Sequence, residues 1–242
     1  MLSVAERLAQ VRQRIARAAQ LAGRDPSEIL LVGASKRKPV EAIREAYAAG
    51  LRDFGENYVQ ELGQKAEQLG DLEDLRLHMI GHLQRNKVRH VTQVASVVQT
   101  VDSVRLAREL GQRARAHPVP PARSFRASGA GADSRLAVMV EVNVGGEDEK
   151  SGCSPDELGF VLDAVEAEPA LRLAGLMALP PYTEDPRGAV PYFEQVAQLR
   201  DRNGGAGRLP ELSMGMTHDL EAAIATGATI VRVGTAIFGP RT

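Results

Sequence analysis

Two periodicities take turns along the chain. The opening segment, "MLSVAERLAQVRQRI", repeats apolar residues at helical spacing. Val4, Leu8, Val11 and Ile15 fall on one face, and Ser3 with Glu6 forms a capping box. Short apolar runs then alternate with amphipathic stretches. "EILLVGAS" predicts a buried strand, and "PVEAIREAYAAG" a helix opened by Pro39 and closed by Gly50. Six more strand-then-helix pairs follow. They are "RDFGEN" with "YVQELGQKAEQLG", "RLHMIGH" with "QRNKVRHVTQVA", "SVVQTVDS" with "VRLARELGQRARAH", "RLAVMVEVN" with "SPDELGFVLDAVEAE", "LRLAGLMAL" with "GAVPYFEQVAQLRDR", and "ELSMGM" with "HDLEAAIATG". "TIVRVG" is the last strand.

Eight strands, seven intervening helices and one leading helix imply a parallel sheet. Eight such units in 242 residues favour closure into a single (β/α)₈ barrel over an open doubly wound sheet. The whole chain, residues 1–242, is expected to form that one domain. One stretch breaks the alternation. Residues 118–134, "PVPPARSFRASGAGADS", are rich in Pro, Gly, Ser and Ala and predict a flexible surface insertion before the fifth strand.

Charge adds exclusions. Thirty Lys and Arg balance 31 Asp and Glu, so no basic field favours nucleic acid. No apolar run approaches the roughly 20 residues of a membrane span, and the charged, periodic N-terminus is no signal peptide. A single cysteine, Cys153, excludes an internal disulfide. A cytoplasmic protein, monomeric or weakly dimeric, is expected. Cys153 precedes a predicted helix start, where a thiol pKa can fall, but no redox role is expected of it. His78 and His82 share a strand four residues apart, about 13 Å, which suits no shared metal.

Barrels place their chemistry at the C-terminal strand ends. Those ends are Lys36; Glu56 and Asn57; His82; Asp102 and Ser103; Asn143; Met177; Ser213, Met214 and Gly215; and Arg232, Gly234 and Thr235. Glycines and hydroxyls after strands seven and eight suit a phosphate, because backbone N–H groups can approach an anion closely there. Lys36 then acquires a context. Its amine must lose a proton to attack a carbonyl, and burial among cations (Arg37, Lys38, Arg232) pushes it that way. An amine facing a phosphate site suggests a Schiff base to a phosphorylated carbonyl compound, either a sugar phosphate or pyridoxal phosphate. Aldolase chemistry wants carboxylates and a second lysine on central strands, whereas this amine is on the first. Arg232 also bears on the choice. A guanidinium facing a pyridine nitrogen keeps that nitrogen unprotonated and weakens the ring as an electron sink.

The segments "LVGASKRKP", "FGENYVQE", "IGHLQRNK", "VDS", "KSG", "GLMALPP" and "LSMGMTHDLEAAIATGATIVRVGTAIFG" together resemble the pyridoxal phosphate homeostasis proteins, stand-alone relatives of the alanine racemase N-terminal barrel. The likeness runs in order from about Ala5 to Gly239. It implies the fold type III barrel, with pyridoxal 5'-phosphate as an internal aldimine on Lys36. It implies phosphate contacts from Ser213, Gly234 and Thr235, and Arg232 facing the pyridine nitrogen. Asn57 would line the ring, with Met214 and His82 nearby, and Lys150 would be a second lysine near the site. The family is thought to store, protect or deliver the cofactor, with apo-enzymes that use it as recipients, and to balance vitamin B6 pools. Two departures stand out. "LHMIGH" lacks the aromatic that relatives commonly carry before the histidine, and the 118–134 loop is long.

Racemization needs opposed acid–base groups on the two faces of the substrate. The resembling racemases take the second group, a tyrosine, from another domain, and no such domain is expected here. Tyr58 and Tyr182 follow strand ends, while Tyr47 sits inside a helix. A carrier without catalytic residues is therefore expected. A weak racemase and a sugar-phosphate aldolase are the alternatives.

Overall fold

The computed structural model describes residues 2–126, 133–147 and 151–240. Eight parallel strands close into a barrel in chain order: β1 (Leu30–Ala34), β2 (Asp53–Glu56), β3 (Arg76–Met79), β4 (Val97–Val101), β5 (Leu136–Glu141), β6 (Leu171–Met177), β7 (Glu211–Ser213) and β8 (Ile230–Val233). Strand β8 pairs back onto β1, with Arg232 opposite Val32. The expected (β/α)₈ class and the leading helix are both present.

The helices are α1 (Val4–Leu21), α2 (Val40–Ala48), α3 (Val59–Gln68), α4 (Val88–Val91), α5 (Val104–Ala114), α6 (Leu158–Glu166), α7 (Val190–Arg202), α8 (Gly205–Arg208), α9 (Leu220–Ala225) and α10 (Thr235–Phe238). Helix α1 starts on the Ser3–Glu6 capping box and buries Val4, Leu8, Val11 and Ile15. It packs across α2, α9 and α10, and Arg14 on it donates to the Thr217 carbonyl at 3.0 Å, bracing a loop at the barrel mouth.

Two local expectations are corrected. "QRNKVRHVTQVA" holds only a 3₁₀ turn (Arg85–Lys87) and the four-residue α4. Its β-branched residues disfavour a longer helix, and the Val94 and Ala95 N–H groups both return to the Val91 carbonyl, turning the chain into β4. Helix α6 starts at Leu158, four residues late, although Ser154 and Glu157 do exchange the capping hydrogen bonds in the preceding turn. The expected insertion is described in part. Of residues 118–134, positions 127–132 lie outside the described residues, but Val119 and Phe125 are buried. Phe125 enters the barrel interior, edge-on to His78 at 5.6 Å between ring centroids. The large apolar ring leaves water there, and Arg126 beside it pairs with Glu211 and the Glu28 carbonyl.

The core has two layers. Most apolar side chains fill the shell between strands and helices. A smaller cluster inside the barrel joins Phe125 to Val32, Val97, Met139, Met177 and Ile230. Among the described residues no helix is long and apolar enough to cross a membrane.

Candidate functional site at the barrel mouth

Lys36 is half-buried, two residues past the end of β1, and lines a cavity of about 440 Å³ at the C-terminal strand ends. Asn57, Tyr182, Thr217, Arg232 and Thr235 share its wall. A buried ionic cluster holds the Lys36 loop from beneath. Ser35 donates to Glu56 Oε1 at 2.6 Å. Lys65 Nζ donates to the Ser35 carbonyl, to Glu56 and to Glu61 at 2.7, 2.7 and 2.8 Å. Glu61 in turn accepts the Arg37 N–H at 2.5 Å. Arg37 takes a left-handed φ of 57°, uncommon for a residue with a side chain, and the cluster holds it there. Glu56 is wholly buried, and burial pushes its carboxyl above the usual range against the pull of Lys65. Lysine at position 65 was not anticipated from sequence, because it sits within an ordinary polar helix pattern.

The loops after β7 and β8 meet on the other strands of the mouth. Thr235 Oγ1 lies 3.3 Å from Thr217 Oγ1. Gly215, at φ 91°, makes the turn that carries Thr217, and a Cβ there would stand 2.5 Å from Ala223 Cβ. Gly234 packs against β1, where a Cβ would come within 3.1 Å of the Ala34 carbonyl. His218 Nε2 donates to the Thr183 and Glu184 carbonyls at 3.1 Å, tying the β7 loop to the β6 loop.

Ser213 and Met214 do not line the cavity; both are fully buried. Ser213 accepts from Arg232 Nη1 at 2.5 Å and donates to Gln99 Oε1 at 2.7 Å. The hydroxyls at the mouth belong instead to Thr217 and Thr235. Thr217 was missed because it lies beyond a glycine turn, four residues past the strand end.

Ser213 is one link in a polar chain through the barrel. Gln99 Nε2 lies 2.9 Å from His78 Nδ1, and His78 Nε2 lies 2.9 Å from Asp53 Oδ1. Arg76 closes the chain with two hydrogen bonds to Asp53, at 2.8 and 2.6 Å. From Arg232 to Asp53 the donors run one way when His78 Nδ1 accepts and Nε2 carries a proton, and Arg76 donates to Asp53 from the opposite end. Burial alone would raise the Asp53 carboxyl, but hydrogen bonds from Arg76 and His78 hold it down at about 2. Arg232 is fixed at the other end, donating also to the Ala178 carbonyl at 2.9 Å. Burial lowers its pKa to about 10, which still leaves it cationic at neutral pH. His78 therefore belongs to the interior, while His82 is exposed at the mouth.

A second lobe of about 270 Å³ adjoins the first along Asn57, Ile80 and Leu179. His82, Glu141, Asn143 and Ser151 line it. His82 Nδ1 is 3.1 Å from Ser151 Oγ and 3.6 Å from Asp102 Oδ2. Burial, opposed by Arg232 and assisted by Asp102, pushes Glu141 up to about 7. Burial likewise pushes the Cys153 thiol up to about 12, against the lowering that its place before a helix suggested. Lys150 lies outside the described residues. Of the tyrosines, Tyr182 is on the cavity wall, tilted against His218 at 5.4 Å, and Tyr58 lies under Arg37. Tyr47 bonds Asp74 on the helix side and faces away from the mouth's chemistry.

The cavity thus offers an amine, a fixed cation and two hydroxyls beside a tight glycine backbone. That donor set suits an aldehyde or ketone bearing a phosphate, and the volume is in the range of small-molecule sites.

Residues 7–242 match the family model described as alanine racemase, N-terminal domain. A protein named pyridoxal phosphate homeostasis protein from Pseudomonas aeruginosa is 46% identical, over 100% of this chain and 97% of its own. Its namesake from Aquifex aeolicus is 41% identical over 99% of both chains. The solved structure of PipY from Synechococcus elongatus with pyridoxal phosphate bound superposes with a TM-score of 0.77 at 33% identity, covering 98% of this chain and 100% of that one. Alanine racemase from Corynebacterium glutamicum shares the barrel alone, at 15% identity and a TM-score of 0.61, with 95% of this chain and 60% of that one covered.

Proposed function

Given that the chain belongs to the pyridoxal phosphate homeostasis protein family, we propose that it binds pyridoxal 5'-phosphate at the barrel mouth as an internal aldimine on Lys36. The observation that carries this is the half-buried Lys36 on the wall of a cavity that Arg232 also lines. Gly234, Thr235 and Thr217 would hold the phosphate. Asn57 would line the ring, and Arg232 would face the pyridine nitrogen. Ser213 supports the site indirectly, by orienting Arg232, and Met214 by packing beneath the loop.

When bound, the cofactor supplies an electron-poor ring that can stabilise a carbanion. The protein's residues damp that capacity. Arg232 has only donors, and two of its nitrogens are already committed to Ser213 and Ala178. It stays protonated and cannot yield a proton to the ring nitrogen. The role that follows is to hold and supply the cofactor within the cell, with apo-enzymes that need it as recipients and little or no turnover. One observation favours a second reading, residual racemase activity: Tyr182 stands on the cavity wall. It is 80% exposed and tilted against His218, on the solvent side of the cavity, which is a poor position for a base facing a bound substrate.

The test is an absorbance spectrum of the purified protein, before and after borohydride, for wild type and Lys36→Ala. A visible band that bleaches on reduction, with the cofactor mass on the Lys36 peptide, is expected. A protein that stays colourless when supplied with pyridoxal phosphate overturns the proposal and leaves the sugar-phosphate aldolase. Sustained turnover of D- or L-amino acids overturns the carrier role alone.

A further inference from the structure

Glu141 ends β5 on the wall of the smaller lobe. It is 4% exposed, and among the described residues its Oε2 has no hydrogen-bond partner. A buried carboxylate oxygen without a donor is costly, and nearly all such groups in folded proteins are satisfied. Nothing in the proposed cofactor site uses it. The surrounding polar groups are mostly engaged. Asn143 donates to the Glu147 carbonyl and accepts from the Gly146 N–H. The Ser151 hydroxyl meets His82. Arg232, whose charge acts on Glu141, directs its terminal nitrogens at Ser213 and Ala178. The Asp102 carboxylate adds a second negative group beside His82. Among the described residues no lining side chain donates to Glu141 Oε2, and the charge on that side is negative. Ile80, Val142 and Leu179 provide an apolar wall.

We propose that this lobe is a second binding subsite that takes the ammonium group of a small primary amine, with Glu141 as the acceptor. An ammonium brings three donors and the complementary charge, and a short carbon chain would lie on the apolar wall. An anion would meet the Glu141 carboxylate on the lobe's wall, with Asp102 behind His82. The lobe shares Asn57, Ile80 and Leu179 with the Lys36 cavity, so an amine held there is adjacent to whatever Lys36 binds. The subsite goes beyond the cofactor reading and does not depend on it.

Ethanolamine is the probe, titrated calorimetrically into the full chain in amine-free buffer, with acetate as the control. Saturable ethanolamine binding and no acetate binding are expected. Glu141→Gln keeps the shape and removes the charge, and should weaken ethanolamine about 10- to 100-fold, the loss of one charged hydrogen bond. Ethanolamine affinity should rise from pH 6 to 8 as Glu141 ionises among Asp102, His82 and Arg232. A carbon-13 spectrum of the unsubstituted protein supplies a check independent of the variant, since the Glu141 carboxyl resonance should move with ethanolamine and not with acetate. Undiminished binding by Glu141→Gln, a stationary resonance, or no saturable binding overturns the subsite. Pyridoxal phosphate uptake, followed separately by absorbance, reports on the cofactor reading whichever way the amine titration falls.

Discussion

Replacing Lys65 with methionine removes the one cation from the cluster under the Lys36 loop. Lys65 and Glu56 are 4% and 0% exposed, so solvent cannot replace the lost charge. Glu56 would keep the Ser35 hydroxyl as its sole hydrogen-bond donor, and its Oε2 is already without one. Breaking a buried pair by removing one partner costs about 3–5 kcal/mol. In a chain of this length that lowers the melting temperature by roughly 6–20 °C, at 2–4 °C per kcal/mol. The cost has a pH signature. Glu56 is already raised by burial, and losing Lys65 raises it further. Below the unfolded carboxylate pKa both states of the variant are protonated and the penalty is smallest. As pH rises past that value the unfolded chain loses its proton first, so the variant loses stability relative to wild type. The gap in melting temperature should therefore be wider at pH 8 than at pH 5. The Ser35 carbonyl and Glu61 lose their brace as well, so the variant should also bind pyridoxal phosphate more weakly. Thermal denaturation at the two pH values, with a cofactor titration, measures all of this. A loss under about 1 kcal/mol, or a gap that narrows with rising pH, would refute the view that this pair is a buried, interdependent brace.

Phe125→Ala should cost about 3–5 kcal/mol in urea unfolding, as expected for a buried aromatic, and should leave cofactor binding intact because the ring packs inside the barrel away from the mouth. Asp53 is held at about 2, below its ordinary value of 3.8, so it contributes roughly 2 kcal/mol above pH 4 that disappears as pH falls through 2. Asp53→Asn should accordingly flatten the acid limb of a stability-against-pH curve, and an unchanged limb would place the acid sensitivity elsewhere. Cys153, buried and raised to about 12, should resist iodoacetamide at pH 8 in the folded protein and react once urea unfolds it.

Much of this protein is local, and local features are legible in the chain. The alternation of buried strand and amphipathic helix defined the barrel, since each βα unit announces itself by period and by its bounding Pro, Gly and Ser residues. The rule that barrel chemistry gathers at C-terminal strand ends then brought Lys36, Asn57, His82, Arg232, Gly234 and Thr235 to one mouth without any contact being known. Where a helix was too short, as at Val88–Val91, or a loop had its own turns, as before Thr217, periodicity had nothing to report. What only the closed barrel decided is which buried polar groups meet. Ser213 and Gln99 stand 114 residues apart, and His78 and Asp53 stand 25 apart. Along the chain each is a polar residue in an apolar run, with no partner in reach. Closure turns them inward on neighbouring and facing strands, and the resulting chain of hydrogen bonds aims Arg232 at the mouth. The same closure leaves Glu141 Oε2 facing a lobe where no described residue donates to it, and sends Phe125 from an apparent surface loop into the interior. Such outcomes depend on which strands face each other across the barrel. That is a property of the closed sheet, set by packing over long sequence separations, and no window of the sequence contains it.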